Sequence, residues 1–349
     1  MRIAGLDVLR GVAVVLVIFR HASSNNILYE IGWAGVDLFF VLSGFLIAGL
    51  VFKEYLVTKD FHAIRFLVRR GFKIYPPFYF FIFVTIVLHY LESRDFYGAG
   101  QVLDEVFFLQ SYRAGICMHT WSLAVEEHFY LAFALFSLIG IKRGLFLNTK
   151  WVAVVMVTLL LFSFFMRLQV SFENRNKSMF DFTATHLRMD GILVGVFTSY
   201  LFHLTNFYPL FLRYKNWFLA LAVILISPLF IFPGGSHFMN TLGLTTVDLG
   251  FGLIVLFSLT GFEWNSGKIS LLTKIPMAVI SFIGIHSYSI YLWHLMPAKM
   301  LSWLDCHPPQ YFILYLMLAL SLGVTMSFAI EKPFLKLRDI IYEPRTQEI

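Results

Sequence analysis

Long apolar runs recur along this chain, and they constrain its fold more than any other feature. Several of them extend over 18 to 20 residues, which is the length that a helix needs to cross the hydrocarbon core of a membrane. A membrane β-barrel would instead show alternating strands of about ten residues. Charged residues make up 14% of the chain, against roughly 25% in soluble domains. We therefore predict an all-α integral membrane protein.

The loops between the apolar runs predict the topology. We expect about ten transmembrane helices at 6–23, 33–52, 74–91, 119–139, 151–168, 186–204, 216–232, 243–261, 277–296 and 311–330. If both termini are cytoplasmic, the cytoplasmic segments hold eighteen Lys and Arg residues and the outer loops hold five. The positive-inside rule favours this orientation. It also explains the net charge of +6, so no nucleic-acid partner is expected.

The domain organisation is expected to be simple. Residues 1–340 are predicted to form a single membrane domain, followed by a short cytoplasmic tail at 341–349 and without a soluble extracytoplasmic domain. Cys117 and Cys306 both fall on the predicted outer side, and whether they form a disulfide is left open. The sequence contains no convincing internal repeat and no pattern of helices broken by Gly or Pro in its two halves.

The first span carries Asp7, Arg10 and His21. At 100° per residue, Arg10 and His21 lie on one helix face, with Asp7 within about 40° of it. Charged and titratable residues inside a membrane usually face the bundle interior or a wet cavity. One interpretation is an ion pair between Asp7 and Arg10, with His21 merely at the outer interface. The other is that His21 acts as a general base.

The first cytoplasmic loop contains the densest basic cluster, formed by Arg65, Arg69, Arg70 and Lys73. Three of these residues are four positions apart and form a helical stripe. Such a stripe suits a polyanion such as a nucleotide phosphate, which Arg can bind through two hydrogen bonds. The alternative is a purely topological role together with contacts to anionic lipid headgroups.

The fourth span opens with two adjacent carboxylates, Glu126 and Glu127. Ser122 and Glu126 share a helix face because they are four residues apart. Glu127 points elsewhere, and we expect it to meet a cation such as Arg188 or Arg10. Two carboxylates in an apolar segment favour a functional role over a structural one.

Further polar residues lie in the second, sixth and ninth spans. Asp37 is placed near the outer end of the second span, on the same side of the membrane as His21. Arg188 and Asp190 cannot pair along one helix, so each is expected to find a partner on another helix. Tyr291 and His294 share a face of the ninth span, and His294 is expected at the level of His21, although interfacial aromatic residues can also be simple membrane anchors.

Seven ordered segments together resemble the acyltransferase 3 family of integral membrane acyltransferases. They are LDVLRG (6–11), GVDLFFVLSGFLI (35–47), RRGFKIYPPF (69–78), TWSLAVEEHFYL (120–131), LRMDGILVGV (187–196), SYSIYLWH (287–294) and EKPF (331–334). The family's Arg-ten-residues-His pattern corresponds to Arg10 and His21. Its Arg-x-x-Arg pair becomes Arg70 and Lys73, where the lysine keeps the charge but loses the bidentate fork.

The resemblance implies transfer of an acyl group, often acetyl, from cytoplasmic acyl-coenzyme A to a hydroxyl group. The acceptor would be a glycan or lipid-linked sugar beyond the cytoplasmic membrane of a bacterium, and no metal is implied. We expect His21 to act as general base, with Glu126 or Asp37 orienting its imidazole, and the basic cluster with Arg10 to bind the donor. The alternative is a transporter or flippase of glycans or lipid-linked sugars, whose signature would be inverted repeats with broken helices.

Overall fold

A computed structural model describes residues 3–22, 27–173, 182–260, 271–301 and 308–342, and the regular secondary structure of these residues is helical, without a β-strand. The helices are α1 (Ala4–Arg20), α2 (Ile27–Ile31), α3 (Ala34–Thr58), α4 (Ala63–Ser93), α5 (Ala99–Val106), α6 (Trp121–Lys142), α7 (Thr149–Glu173), α8 (Thr185–Leu204), α9 (Phe207–Arg213), α10 (Lys215–Ile226), α11 (Pro228–Ile231), α12 (Leu244–Ser258), α13 (Leu271–Ile285), α14 (Ser287–Trp293), α15 (Leu295–Leu301), α16 (Pro308–Met326) and α17 (Lys332–Ile341). The predicted all-α class is confirmed.

In the described residues, six helical stretches are long and apolar enough to cross a membrane, and one of them joins α16 and α17. Up to eight spans result if each of two bent helix pairs counts as one. The chain is therefore a multi-pass membrane protein. The count of ten and the cytoplasmic position of both termini stay predictions. Cys306 and most of the predicted tail lie outside the described residues.

Two pairs of consecutive apolar helices meet at a sharp bend. The helix Phe207–Arg213 meets Lys215–Ile231 at 91°, and Lys274–Ile285 meets Ser287–Leu301 at 67°. The breaks fall at Tyr214, between the predicted spans 186–204 and 216–232, and at His286, inside the predicted span 277–296, and neither break lies at Gly or Pro. The second bend starts a new helix, α14, which carries Tyr291 and His294 towards the interior.

Helix α3 lies at the centre of the bundle. Its most apolar stretch is 72% buried, whereas the corresponding stretch of α7 is only 17% buried. The two stretches are equally apolar, so the packing of the bundle and not their composition decides which of them is covered. Helix α7 is left with an apolar surface that suits contact with lipid.

Glycines allow the central helices to cross closely. A Cβ atom on Gly44 of α3 would lie 2.0 Å from the carbonyl oxygen of Ile192 in α8. Conversely, a Cβ on Gly195 would lie 2.1 Å from the carbonyl oxygen of Val41. Small residues at such crossings are typical of membrane bundles.

We expect Gly195→Ala to destabilise the protein by about 1–3 kcal/mol, because the two backbones must separate to admit a methyl group. Alanine itself favours a helix by about 1 kcal/mol over glycine, so a loss can only come from the crossing. Gly100→Ala in α5 is the matched control, since a Cβ there meets nothing within 4 Å. Thermal unfolding in detergent measures both variants, and an unchanged midpoint for Gly195→Ala would contradict the close crossing.

Candidate active site

A polar cavity of about 100 Å³ lies inside the bundle, between α1, α3, α4, α6 and α14. Its polar lining combines three cations with a carboxylate and five hydroxyl groups, supplied by Arg10, Arg70, Lys73, Glu126, Ser43, Ser122, Ser287, Tyr288 and Tyr291. The structure thus brings together residues that are far apart in sequence and that the sequence analysis selected separately. Apolar side chains of α3 complete the wall.

Arg70 is held by a network of side chains from two other helices. Its Nη2 donates to the hydroxyl of Tyr130 over 2.5 Å and lies 3.4 Å from Oε2 of Glu126. The guanidinium carbon also lies 4.4 Å from the centre of the Tyr130 ring. Ser43 donates to the same Glu126 oxygen over 3.2 Å, and Tyr130 contacts both Ser43 and Glu126 through its hydroxyl. The network fixes the guanidinium at the cavity wall.

The other two cations of the cavity differ in their pairing. Arg10 donates from Nη1 to Oδ1 of Asp7 over 3.2 Å, so the ion pair considered from the sequence is present. Within the described residues, the ammonium of Lys73 has no hydrogen-bond or ion-pair partner. The cavity therefore presents a cation that is available to an anionic or carbonyl group.

The four residues of the predicted basic cluster occupy two different environments in the folded protein. Arg70 and Lys73 face the cavity, whereas Arg69 donates to Oδ1 of Asp339 over 3.4 Å and to the carbonyl of Tyr342. Arg65 lies one turn earlier in α4 and is outside the cavity lining. Arg69 thus connects α4 to α17 and the residue that follows it instead of lining the cavity.

Two histidines meet at the end of α1. His294 Nε2 lies 3.4 Å from His21 Nδ1, which confirms that both residues occupy the same level. His21 Nδ1 also lies 3.0 Å from the carbonyl oxygen of Val17, and His294 Nδ1 lies 2.6 Å from that of Tyr291. A carbonyl oxygen only accepts hydrogen bonds, so both rings carry their proton on Nδ1 when neutral. His21 is thereby left with a lone pair on Nε2.

The expectation that Glu126 or Asp37 orients His21 is not met. In the described part of the chain, Glu126 contacts Arg70, Ser43 and Tyr130, and Asp37 contacts Arg188. Glu126 serves as the counter-charge of Arg70 and Asp37 as that of Arg188, and neither carboxylate contacts His21 in the described residues. The orienting contacts of His21 come from a backbone carbonyl and a second imidazole.

His119 joins the histidine pair, and the sequence analysis missed it. Its ring centre lies 5.1 Å from that of His294 with the planes at 84°, and its Nε2 donates to the carbonyl of Leu292 over 3.1 Å. Its Nδ1 is buried and has no hydrogen-bond partner in the part of the chain that the structure describes. The sequence did contain a signal for this residue. His119 directly precedes the motif at 120–131 and begins the predicted span 119–139, which puts it at the same predicted membrane level as His21 and His294.

A hydroxyl pair links the histidines to the cavity. The Tyr291 hydroxyl donates to the carbonyl of His119 over 2.6 Å and lies 2.6 Å from Oγ of Ser122. Ser122 and Tyr291 also line the cavity. The cationic cavity and the imidazole cluster are therefore two ends of one continuous polar region.

The segment that carries His119 is held by a buried carboxylate. Glu105 of α5 accepts from the backbone N–H of Ile116 over 3.0 Å, from that of Cys117 over 3.4 Å, and from the Thr120 hydroxyl. Burial raises the pKa of Glu105 to about 7, although these hydrogen bonds act in the opposite direction. The three contacts fix the chain directly around His119.

Arg188 and Asp190 each find a partner on another helix, as predicted. Arg188 Nη2 lies 2.5 Å from Oδ1 of Asp37, and Arg167 Nη1 lies 2.7 Å from Oδ2 of Asp190. Asp248 of α12 is buried beside them, and sequence reasoning had not selected it. These residues form a buried ion-pair cluster next to the cavity rather than in its lining.

The predicted pairing of Glu127 with Arg188 or Arg10 is wrong. Glu127 Oε2 accepts a hydrogen bond from the hydroxyl of Tyr75 in α4 over 3.1 Å. Glu126 and Glu127 therefore bind different faces of α4, one through Arg70 and the other through Tyr75. The pair fixes α6 against α4.

Comparison with known proteins decides the family. The acyltransferase domain of the acyltransferase 3 family matches residues 3–332, which is nearly the whole chain. The chain belongs to the acyltransferase 3 family. The resemblance seen in the seven sequence segments is thereby confirmed.

Proteins that are similar to this chain are named O-acetyltransferases. A protein of Staphylococcus aureus strain COL, provisionally named an O-acetyltransferase, is 28% identical over 315 residues, which cover 84% of this chain and 50% of the relative. The O-acetyltransferase OatA of Staphylococcus aureus strain NCTC 8325 is 27% identical over 313 residues, which cover 83% of this chain and 49% of OatA. The chain thus spans about half the length of these relatives. No solved structure matches the chain.

In this acyltransferase 3 chain, most of the seven segments converge on the cavity. The segments that contribute to its lining are those at 6–11, 35–47, 69–78, 120–131 and 287–294. The segment at 187–196 supplies the buried ion pairs instead. In the last segment, Glu331 is buried and accepts from Ser289 over 2.7 Å and from Ser327 over 3.0 Å, which ties α14 to the end of α16.

Proposed function

We propose that this protein is an O-acyltransferase that moves an acyl group, most simply acetyl, from cytoplasmic acyl-coenzyme A to a hydroxyl group of an extracytoplasmic glycan or lipid-linked sugar. It would work in the cytoplasmic membrane of a bacterium. The observation that carries the proposal is the polar region described above. It has a cation-lined cavity at one end and, at the other, the His21 imidazole, whose unprotonated Nε2 can accept a proton. Relatives named as O-acetyltransferases support the same chemistry.

The donor would bind at the cationic end. Arg10, Arg70 and Lys73 suit the phosphate groups or the thioester carbonyl of acyl-coenzyme A, because charge-assisted hydrogen bonds are the strongest ones available to such groups. Arg10 and His21 are about 16 Å apart along the helix axis. The flexible arm of the donor must therefore extend through the cavity to bring its thioester to the imidazole.

The reaction would take place beside His21. Nε2 of His21 removes the proton from the acceptor hydroxyl while the hydroxyl oxygen attacks the thioester carbonyl carbon. The carbon–sulfur bond then breaks, the ester is formed, and the coenzyme A sulfur leaves as a thiolate that recovers the proton from the imidazolium. A hydroxyl group between the two ends of the polar region, such as that of Ser122 or Tyr291, would stabilise the tetrahedral oxyanion.

Reconstitution into lipid vesicles tests this function directly. Labelled acetyl-coenzyme A is sealed inside the vesicles, and a panel of soluble oligosaccharides is supplied outside. We expect free coenzyme A to appear inside and labelled, alkali-labile acetyl ester to appear outside. Two bent spans are also compatible with a transporter, which would move sugars without consuming acetyl-coenzyme A. That result would overturn the proposal.

We expect Arg70→Ala to raise the KM for acetyl-coenzyme A by about 10-fold or more, since a hydrogen bond to a charged group contributes roughly 1.5–3 kcal/mol. Arg143→Ala is the matched control, because Arg143 is an exposed cation at the end of α6, away from the cavity. Initial rates at varied donor concentration measure both variants. An unchanged KM for Arg70→Ala would assign the basic cluster a purely topological role.

A further inference from the structure

His294 is completely buried and in hydrogen-bond contact with His21, but the reaction described above gives it no role. It is anchored on its other side, because Nδ1 donates to the carbonyl of Tyr291 over 2.6 Å. With the proton on Nδ1, its Nε2 can only accept a hydrogen bond. The atom that faces His21 Nδ1 is therefore an acceptor.

The contacts of His21 complete the argument. Its Nδ1–H points to the carbonyl oxygen of Val17 and to His294 Nε2, at 3.0 and 3.4 Å. In the described residues, no carboxylate contacts this ring. The position that an aspartate occupies in a Ser-His-Asp triad, next to the Nδ1–H of the base, is held here by a neutral imidazole and a carbonyl.

We propose that His294 is the positioning residue for His21 in acyl transfer: it holds the His21 imidazole in the Nδ1–H tautomer and accepts the hydrogen bond that strengthens when His21 takes the acceptor's proton. This inference rests on the proposed function. When Nε2 of His21 is protonated, the ring becomes a cation and its Nδ1–H becomes a stronger donor. His294 Nε2 stabilises that cation without taking the proton, and the proton then leaves from Nε2 to the coenzyme A thiolate.

His119 supports this arrangement through packing. Its ring meets His294 edge to face and also lies 5.7 Å from the ring of Tyr291. Its carbonyl accepts from Tyr291, whose own carbonyl accepts from His294. The chain of contacts fixes the His294 ring, so that its Nε2 is directed at His21.

Two amide variants separate the two contacts of His294. A glutamine amide reaches the position of Nε2 and can accept from His21, whereas an asparagine amide reaches only the position of Nδ1 and can donate to Tyr291. We expect His294→Asn to lower the kcat for acetyl transfer by about 10²-fold, as for a misplaced catalytic group. His294→Gln should stay within about 5-fold of the unsubstituted protein. The KM for acetyl-coenzyme A should change less than twofold in both variants.

The outcomes distinguish this inference from the proposed function. If both amide variants keep a normal kcat, or if both lose it equally, the hydrogen bond to His21 is not what matters and the inference is overturned. If kcat falls in His294→Asn but stays near its original value in His294→Gln, the inference is supported. Loss of acetyl transfer in His21→Ala together with normal transfer in His294→Asn overturns the inference and leaves the proposed function intact. Normal transfer in His21→Ala would instead contradict the base assigned under the proposed function.

Discussion

Replacing His21 by alanine should lower the rate of acyl transfer by about 10²–10⁴-fold, which is the usual scale for the loss of a general base. The reason is specific to its geometry, since His21 carries its proton on Nδ1 and presents a free lone pair on Nε2 at the end of the polar region. His21→Gln removes the base with a smaller change in volume and should lose a similar factor. Turnover of labelled acetyl-coenzyme A by the purified variants measures the effect.

Two controls test whether the loss of rate is specific to His21. His62→Ala removes an exposed histidine that pairs with Glu54 near the start of α4, and it should leave the rate unchanged. The KM for acetyl-coenzyme A should also stay near its original value in His21→Ala, because the cationic end of the cavity is intact. Near-normal transfer by His21→Ala would show that another group takes the proton.

Breaking the buried ion pair between Asp37 and Arg188 should cause the largest loss of stability, about 3–5 kcal/mol. Their side chains are 2% and 3% exposed, so Asp37→Asn leaves a guanidinium in the interior without its counter-charge. The cation–π contact of Arg188 with Trp121, at 5.3 Å, cannot replace the lost carboxylate. Thermal and denaturant unfolding in detergent measure the loss.

A double variant tests the cause. Asp37→Asn combined with Arg188→Met removes both charges and should be more stable than Asp37→Asn alone, because the Arg188 guanidinium is no longer buried without its carboxylate. Glu54→Gln is the control, since its partly exposed pair with His62 should contribute at most about 1 kcal/mol. If Asp37→Asn keeps its stability but loses acyl transfer, Asp37 acts in the chemistry, as the sequence analysis had considered, and not in the fold.

Features that depend on one helix could be predicted from the sequence. The pairing of Asp7 with Arg10 and the shared face of Ser122 and Glu126 follow from 3.6 residues per turn, which is independent of tertiary structure. The common level of His21 and His294 followed from their predicted depth in the membrane, because two helices that cross the same bilayer bring residues of equal depth to the same level. Local geometry and the thickness of the bilayer suffice for such predictions.

Contacts between helices could not be predicted in the same way. Arg188 pairs with Asp37 and not with Glu127, and Glu127 binds Tyr75, although all of these choices were open in the sequence. Which partner is reached depends on helix rotation and on the distance between axes, which the close approach at Gly44 decides for α3 and α8. The histidine that orients His21 was missed for the same reason, since a carboxylate was equally compatible with the pattern.

The sequence by itself determined that this chain is helical, that it belongs in a membrane, and which segments carry polar groups, because the cost of exposing backbone or charge to lipid leaves few alternatives. Only the tertiary structure decided how those groups combine: Arg70 and Lys73 face the cavity while Arg69 binds α17, and His294 contacts His21 while Glu126 binds Arg70. The bend before α14 contributes to this outcome, because it sets the direction of the helix that carries Tyr291 and His294. Periodicity determines which face of a helix a residue occupies, whereas the packing of several helices determines which groups that face meets.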